Sequence, residues 1–77
     1  MLNWQNHIES NLEVLYGKPV VKNSRISVDI ILEKIAFGDS IQDLLAAYPT
    51  LKIEDIQSCL LFASETIKNE IVYLKAS

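Results

Sequence analysis

Basic residues are scarce in this sequence. Seven lysines and arginines face ten aspartates and glutamates over 77 residues, leaving a formal charge of −3. A chain with that balance has no general electrostatic pull on nucleic acid or on an anionic membrane. Cysteine occurs once, as Cys59, which excludes an internal disulfide and makes a reducing compartment the expected setting. Long apolar runs are missing too: "DIILEKIAF" and "CLLFA" are far too short to cross a bilayer. The opening "MLNWQNHIES" has neither the basic start nor the apolar core of a secretory leader, so the chain is expected in the cytoplasm. Histidine also occurs once, as His7.

Those shortages bear on catalysis. No His, Cys or carboxylate set has metal-ligand spacing, and no glycine-rich phosphate loop is present. Cys59 falls beside an apolar helical stripe and reads as a packed small residue. His7, among polar neighbours, reads as a surface side chain. Glu54 and Asp55 are adjacent, so on a helix they point about 100° apart; they read as partners of the helix dipole, not as an acid/base pair. The expectation is a protein that is not an enzyme and takes no cofactor or metal.

What is present is enough to fold. Hydrophobic residues make up 49% of the chain, in the range of a globular domain. A chain this short buries only about 60% of its unfolded surface, so it is one domain of marginal stability and a homodimer is expected. Residues 1–27 read as an N-terminal arm and β-hairpin. In "KPVVKNSRIS" a two-residue turn at Asn23 and Ser24 would place Val21 and Ile26 on the inward face and Lys22 opposite Arg25. Residues 28–77 read as a helical body. Ser27 caps a first helix with the stripe Val28, Ile31, Leu32 and Ile35, and Gly38 stops it. Ser40, with Asp43 in a box-like position, caps a second helix whose inner face is Ile41, Leu44, Leu45 and Tyr48, before Pro49. A third helix runs from about Ile53 towards Leu74, with Ile53, Ile56, Leu60, Ala63, Ile67, Ile71 and Leu74 inward and a weak point near Ser64 to Thr66. The fold class is therefore mainly α: a short N-terminal β-ribbon followed by a three-helix, helix-turn-helix bundle. Among the aromatics, Tyr48 and Phe62 belong to the core, whereas Trp4 either anchors an interface or packs on its own ribbon.

The candidate contact residues fall in two places. The exposed start of the third helix would offer Lys52, Glu54, Asp55, Gln57 and Ser58, of which Lys52, Gln57 and Ser58 can bind a partner. Two carboxylates make this a poor face for DNA. From Asp39 onward six acids and three bases give the second half −3, while the first half is neutral. The other place is the ribbon, where Lys18, Lys22 and Arg25 follow one another with no acid between Glu13 and Asp29. Like charges facing across a ribbon are destabilising, unless an anion sits there. Two other readings stand beside that one: Arg25 folds back onto Asp55 or Glu54, and Lys22 guards a strand edge against aggregation.

The stretch "GKPVVKNSRISVDIILEKIAFGDSIQDLLAAYPTLKIEDIQSCLLFA", Gly17 to Ala63, resembles the DUF433 family. Its pattern is Gly-Lys-Pro-Val-Ile, a Gly-Thr-Arg-Ile turn, a helix ending in Gly, a Ser-capped helix ending Tyr-Pro, then Leu and a Glu-Asp-Ile helix start. The resemblance implies a homeodomain-like or winged-helix-like domain and a VapB-type antitoxin that binds a PIN-like ribonuclease toxin. Such nucleases use clustered carboxylates and a divalent metal, and a basic side chain offered to that cluster would compete with the metal. Two positions depart from the pattern. Asn23 and Ser24 replace Gly-Thr, with Asn still able to take the left-handed backbone. Lys52 stands where a threonine would cap the third helix with Asp55 as its box partner, leaving Thr50 as the alternative cap. Three functions remain in view: the antitoxin, a regulator that binds operator DNA alone or with its toxin, and a dimerising structural module.

Overall fold

The computed structural model describes residues 2–10, 13 and 15–69. Its sheet differs from the expected hairpin. Strand β1 (Ile8–Ser10) pairs antiparallel with β2 (Pro19–Val21), matching Ile8 with Val21, Glu9 with Val20 and Ser10 with Pro19. The full ladder of "PVV" is thus with the segment before it, while the segment after it adds a bridge on the other side, Val20 to Ser27, in the register of the expected turn. Pro19 is tolerated because it opens its strand.

Beyond β2 the chain reverses through residues 22–25. Asn23 (φ 67°) takes the left-handed backbone, as its place in the turn requires, and so does Arg25 (φ 59°). Ser24 stabilises the reversal: its N–H and its hydroxyl both donate to the Val21 carbonyl, at 3.2 and 2.8 Å, and its hydroxyl accepts from Ile26 N–H at 3.0 Å. Of the hairpin there remain a bridge between Val20 and Ser27 and a bond from Val21 N–H to Ile26 C=O. Lys22 donates its N–H to the His7 carbonyl at 2.8 Å instead, which extends the β1 ladder. Val21 is buried and Ile26 packs against the core, both as expected.

Helix α1 (Val28–Ala36) ends in a Schellman motif: Gly38 N–H reaches Ile35 C=O, Asp39 N–H reaches Lys34 C=O, and Gly38 sits at φ 103°. Helix α2 (Ile41–Ala47) has a complete capping box, with Ser40 N–H donating to Asp43 Oδ2 at 2.8 Å and Asp43 N–H donating to Ser40 Oγ at 3.0 Å. The Ser40 backbone N–H, then its hydroxyl, holds the Asp43 carboxyl below its ordinary value. The stability linked to that ionisation is therefore present above the usual aspartate range and fades as pH falls through the lowered value.

Helix α3 (Ile53–Asn69) is continuous through the expected weak point, where Thr66 Oγ1 donates back to Phe62 C=O at 2.9 Å. Ile71 and Leu74 lie outside the described residues.

The core is made by Ile8, Val21, Val28, Ile31, Leu44, Leu51, Ile56 and Cys59. Trp4 packs edge-to-face on Phe62, ring centroids 5.0 Å apart at 73°, so it anchors the N-terminal arm on α3. That docking turns α3 relative to the expected stripe. Its inward face is Ile56, Cys59, Phe62 and Ala63, while Ile53, Leu60 and Ile67 face outward. Ile41 is likewise exposed, while Leu44 is fully buried and Leu45 and Tyr48 pack against the core beside it, as expected. Among the described residues, no helix is long and apolar enough to cross a membrane.

Candidate functional site

The turn after β2 and the segment before α3 meet over a recess of about 170 Å³, lined by Asn6, His7, Lys22, Asn23, Thr50, Lys52 and Asp55. The latch beneath it is Asp55. One carboxylate oxygen lies 2.9 Å from His7 Nδ1, and the other accepts the Lys52 N–H at 2.9 Å. An ionised carboxylate only accepts, so His7 Nδ1 carries the hydrogen of that bond. His7 is thus a part-buried partner of α3 and not a free surface residue. Lys52 occupies the cap position without a side-chain acceptor, and Asp55 supplies the half of the capping box that Lys52 leaves open to it. The N-terminal orphan that Thr50 was expected to satisfy is met from inside the helix.

Asp55 being engaged by His7, the fold-back of Arg25 does not occur. Arg25 is exposed and forms no ion pair among the described residues. It borders a second concavity, of about 410 Å³, with Glu9, Val20, Asn23 and Ser24. A left-handed backbone at a residue other than glycine costs roughly 1–2 kcal/mol. Arg25 bears that strain with no internal salt link to offset it.

The remaining expected contacts divide. Lys18 pairs with Asp29 at 3.3 Å, both well exposed, and borders a separate apolar groove with Pro19, Val28, Leu32 and Phe62. The Ser27 hydroxyl first, then Lys18, holds the Asp29 carboxyl below its ordinary value. Gln57 is exposed on α3. Ser58 is a correction: it is fully buried, and its hydroxyl has no hydrogen-bond partner among the described groups. It faces inward because it lies three residues after Asp55 and four before Phe62, on the side where the arm docks. Ser58→Ala is expected to stabilise the fold by about 1 kcal/mol, since it removes an unsatisfied buried hydroxyl and improves helix propensity. Thermal melting is the measurement; a lower midpoint would reveal a bond that the hydroxyl makes.

The structure therefore gathers Lys22 and Lys52 at one recess, with Arg25 on the other flank of the same turn. Asn6, Asn23 and Thr50 add hydrogen-bonding groups to that recess, and nothing local in the sequence brings them together. Nor does any local spacing betray His7 and Asp55, which are 48 residues apart. The assembly offers hydrogen-bond donors and positive charge beside the His7–Asp55 pair. Burial, and secondarily the Asp55 charge, pushes the Cys59 thiol up to about 12, so it stays neutral and packed at physiological pH.

Comparison with known proteins gives a consistent relationship. A model of the family described as "Protein of unknown function (DUF433)" matches residues 8–63. "Uncharacterized protein y4eO" from Sinorhizobium fredii (strain NBRC 101917 / NGR234) is 32% identical over 56 residues, which is 73% of this chain and 25% of that protein. The crystal structure of a DUF433 member protein from Anabaena variabilis ATCC 29413 superposes with a TM-score of 0.77 at 28% identity, covering 83% of this chain and 63% of that one. The chain thus spans about a quarter of the length of the curated relative.

Proposed function

We propose that this chain, which belongs to the DUF433 family, is a non-catalytic interaction protein of the cytoplasm: a VapB-type antitoxin that binds and blocks a PIN-like ribonuclease toxin. The observation that carries the reading is the set of Lys22, Lys52 and Arg25. Lys22 and Lys52 line one recess and Arg25 borders the concavity on the other flank of the same turn, none has an internal ion pair among the described residues, and Arg25 keeps a strained backbone. Strain of that kind persists where the surroundings or a function demand it. On a chain of net charge −3, such an edge suits a carboxylate-rich partner. Ammonium or guanidinium groups placed among the nuclease carboxylates would oppose entry of the divalent metal.

A second reading, operator DNA binding, is favoured by the helix-turn-helix order of α2 and α3. Glu54, exposed in the first turn of α3, opposes it by facing the phosphates. Assembly with a toxin would offset this by making DNA contacts multivalent.

The test is charge reversal, with folding followed by circular dichroism. Lys22→Glu, Lys52→Glu and Arg25→Glu are each expected to weaken neutralisation of a PIN-like nuclease encoded beside this chain by about tenfold, the loss of one good charge contact. Combining Lys22→Glu with Arg25→Glu is expected to abolish it. Lys18→Glu is expected to do less, since Lys18 is engaged by Asp29. Full neutralisation by the folded double variant would place the contact elsewhere. Salt separates the partners: affinity for DNA falls by about one log–log unit per phosphate contact, while an interface of desolvated pairs responds much less.

A further inference from the structure

The side of α3 turned away from the core carries Ile53, Leu60 and Ile67, which are 44%, 44% and 67% exposed. They recur every seven residues, and Gln57 and Ser64 fall between them. The order 53, 57, 60, 64, 67 alternates steps of four and three, the spacing of a coiled-coil seam. Scattered exposed aliphatics need no explanation, but a row of three along a helix of 17 residues does. Beside the row, on one edge, lie Glu54, Leu61 and Lys68, again seven apart. Leu61 is 40% exposed. Glu54 and Lys68 are both exposed and unpaired among the described residues.

Those two charges select the occupant. A second copy laid parallel would set the edge of Glu54 and Lys68 against the opposite edge of its partner, that of Ile56 and Ala63, where neither charge finds a counterpart. Laid antiparallel, with the two-fold axis near Leu60 and Leu61, it sets Glu54 of each copy beside Lys68 of the other, and does so twice. The antiparallel pair also brings the helix dipoles into favourable opposition. We propose that the outer face of α3 is the interface of an antiparallel homodimer, with Ile53, Leu60 and Ile67 in the seam and the Glu54–Lys68 pairs setting its direction. Polar Gln57 and Ser64 within the seam fix register at some cost in affinity. The core of a chain this small leaves apolar surface uncovered, and this pairing covers it. The proposal does not depend on the antitoxin reading, because its test contains no toxin.

Sedimentation equilibrium of the protein alone at high micromolar concentration is expected to give twice the 8.7 kDa chain mass. Leu60→Lys is expected to weaken association at least tenfold while leaving the helical circular dichroism intact. Ile67→Lys, at the most exposed position of the row, provides the same readout if Leu60→Lys folds poorly. Glu54→Lys is expected to dissociate the pair, and Glu54→Lys combined with Lys68→Glu to restore it. A monomeric parent protein, or a dimer indifferent to both lysine substitutions, would overturn the interface; a monomer would leave the row to a different protein. A charge swap that fails to restore association would overturn the antiparallel arrangement.

Discussion

Asp55→Ala is expected to destabilise the protein by about 2–3 kcal/mol. The substitution removes two bonds at once. Loss of the carboxylate from the α3 N-terminus deprives the Lys52 N–H of its acceptor, and losses at helix N-termini cost about 1 kcal/mol. Loss of the bond to His7 costs about 1.5 kcal/mol more, in the range for hydrogen bonds to a charged group. In a domain of this size each kcal/mol moves the melting midpoint by about 4–8 °C, so a fall of roughly 10–20 °C is expected. His7→Ala leaves the cap intact and should cost about half as much. A second readout reports the arm itself. Trp4 is the only tryptophan and packs on Phe62, so its fluorescence should shift to the red in the still-folded variant as the arm loosens. An Asp55→Ala protein that melts within about 3 °C of its parent would show that Trp4, Ile8 and the β1–β2 ladder hold the arm without the latch.

Leu44→Ala is expected to cost about 3 kcal/mol, within the range for emptying a fully buried leucine site. Helix α2 is seven residues long, too short to persist by its own propensity. Leu44 is its one buried residue and is fully enclosed. Truncation therefore leaves a cavity and loosens the helix, which keeps only the partly buried Leu45 and Tyr48 against the core. For a domain whose total stability is on the order of 5 kcal/mol, that loss leaves about 2 kcal/mol and should lower the melting midpoint by roughly 12–24 °C. Ile41→Ala on the same helix is the contrast, expected to cost well under 1 kcal/mol because Ile41 is already partly exposed. The two substitutions together decide whether α2 packs through Leu44 or through the wider face that periodicity suggests. Chemical denaturation of both proteins measures the difference, and equal losses would favour the wider face.

Local chemistry was enough to specify much of this protein from sequence. Ser40 with Asp43, Gly38 after α1 and Pro49 after α2 each act within one helical turn, so caps and stops follow directly from residue type and spacing. The left-handed Asn23 is legible for the same reason. A membrane-spanning helix was excluded by run length alone. The basic edge was visible as residue types, because charge can be counted without a fold.

Tertiary structure decided what depends on contacts distant in sequence. Strand β2 could pair forwards or backwards, and periodicity treats both alike; the Ser24-stabilised turn kept a single forward bridge, Val20 to Ser27, while the full ladder, extended by the backbone bond from Lys22 to His7, went to β1. Helix α3 has aliphatics on two faces, so its period identifies a helix but not which face is buried. Trp4 on Phe62 and His7 on Asp55 turned one face inward, and that rotation buried Ser58 and left Ile53, Leu60 and Ile67 outside. The same latch occupied Asp55 and left Arg25 without an ion pair among the described residues. Whether a charge is a strut or a free contact depends on which partner arrives first in space. For Arg25 that was decided by a histidine 18 positions earlier meeting an aspartate 30 positions later, a contact that no local pattern encodes.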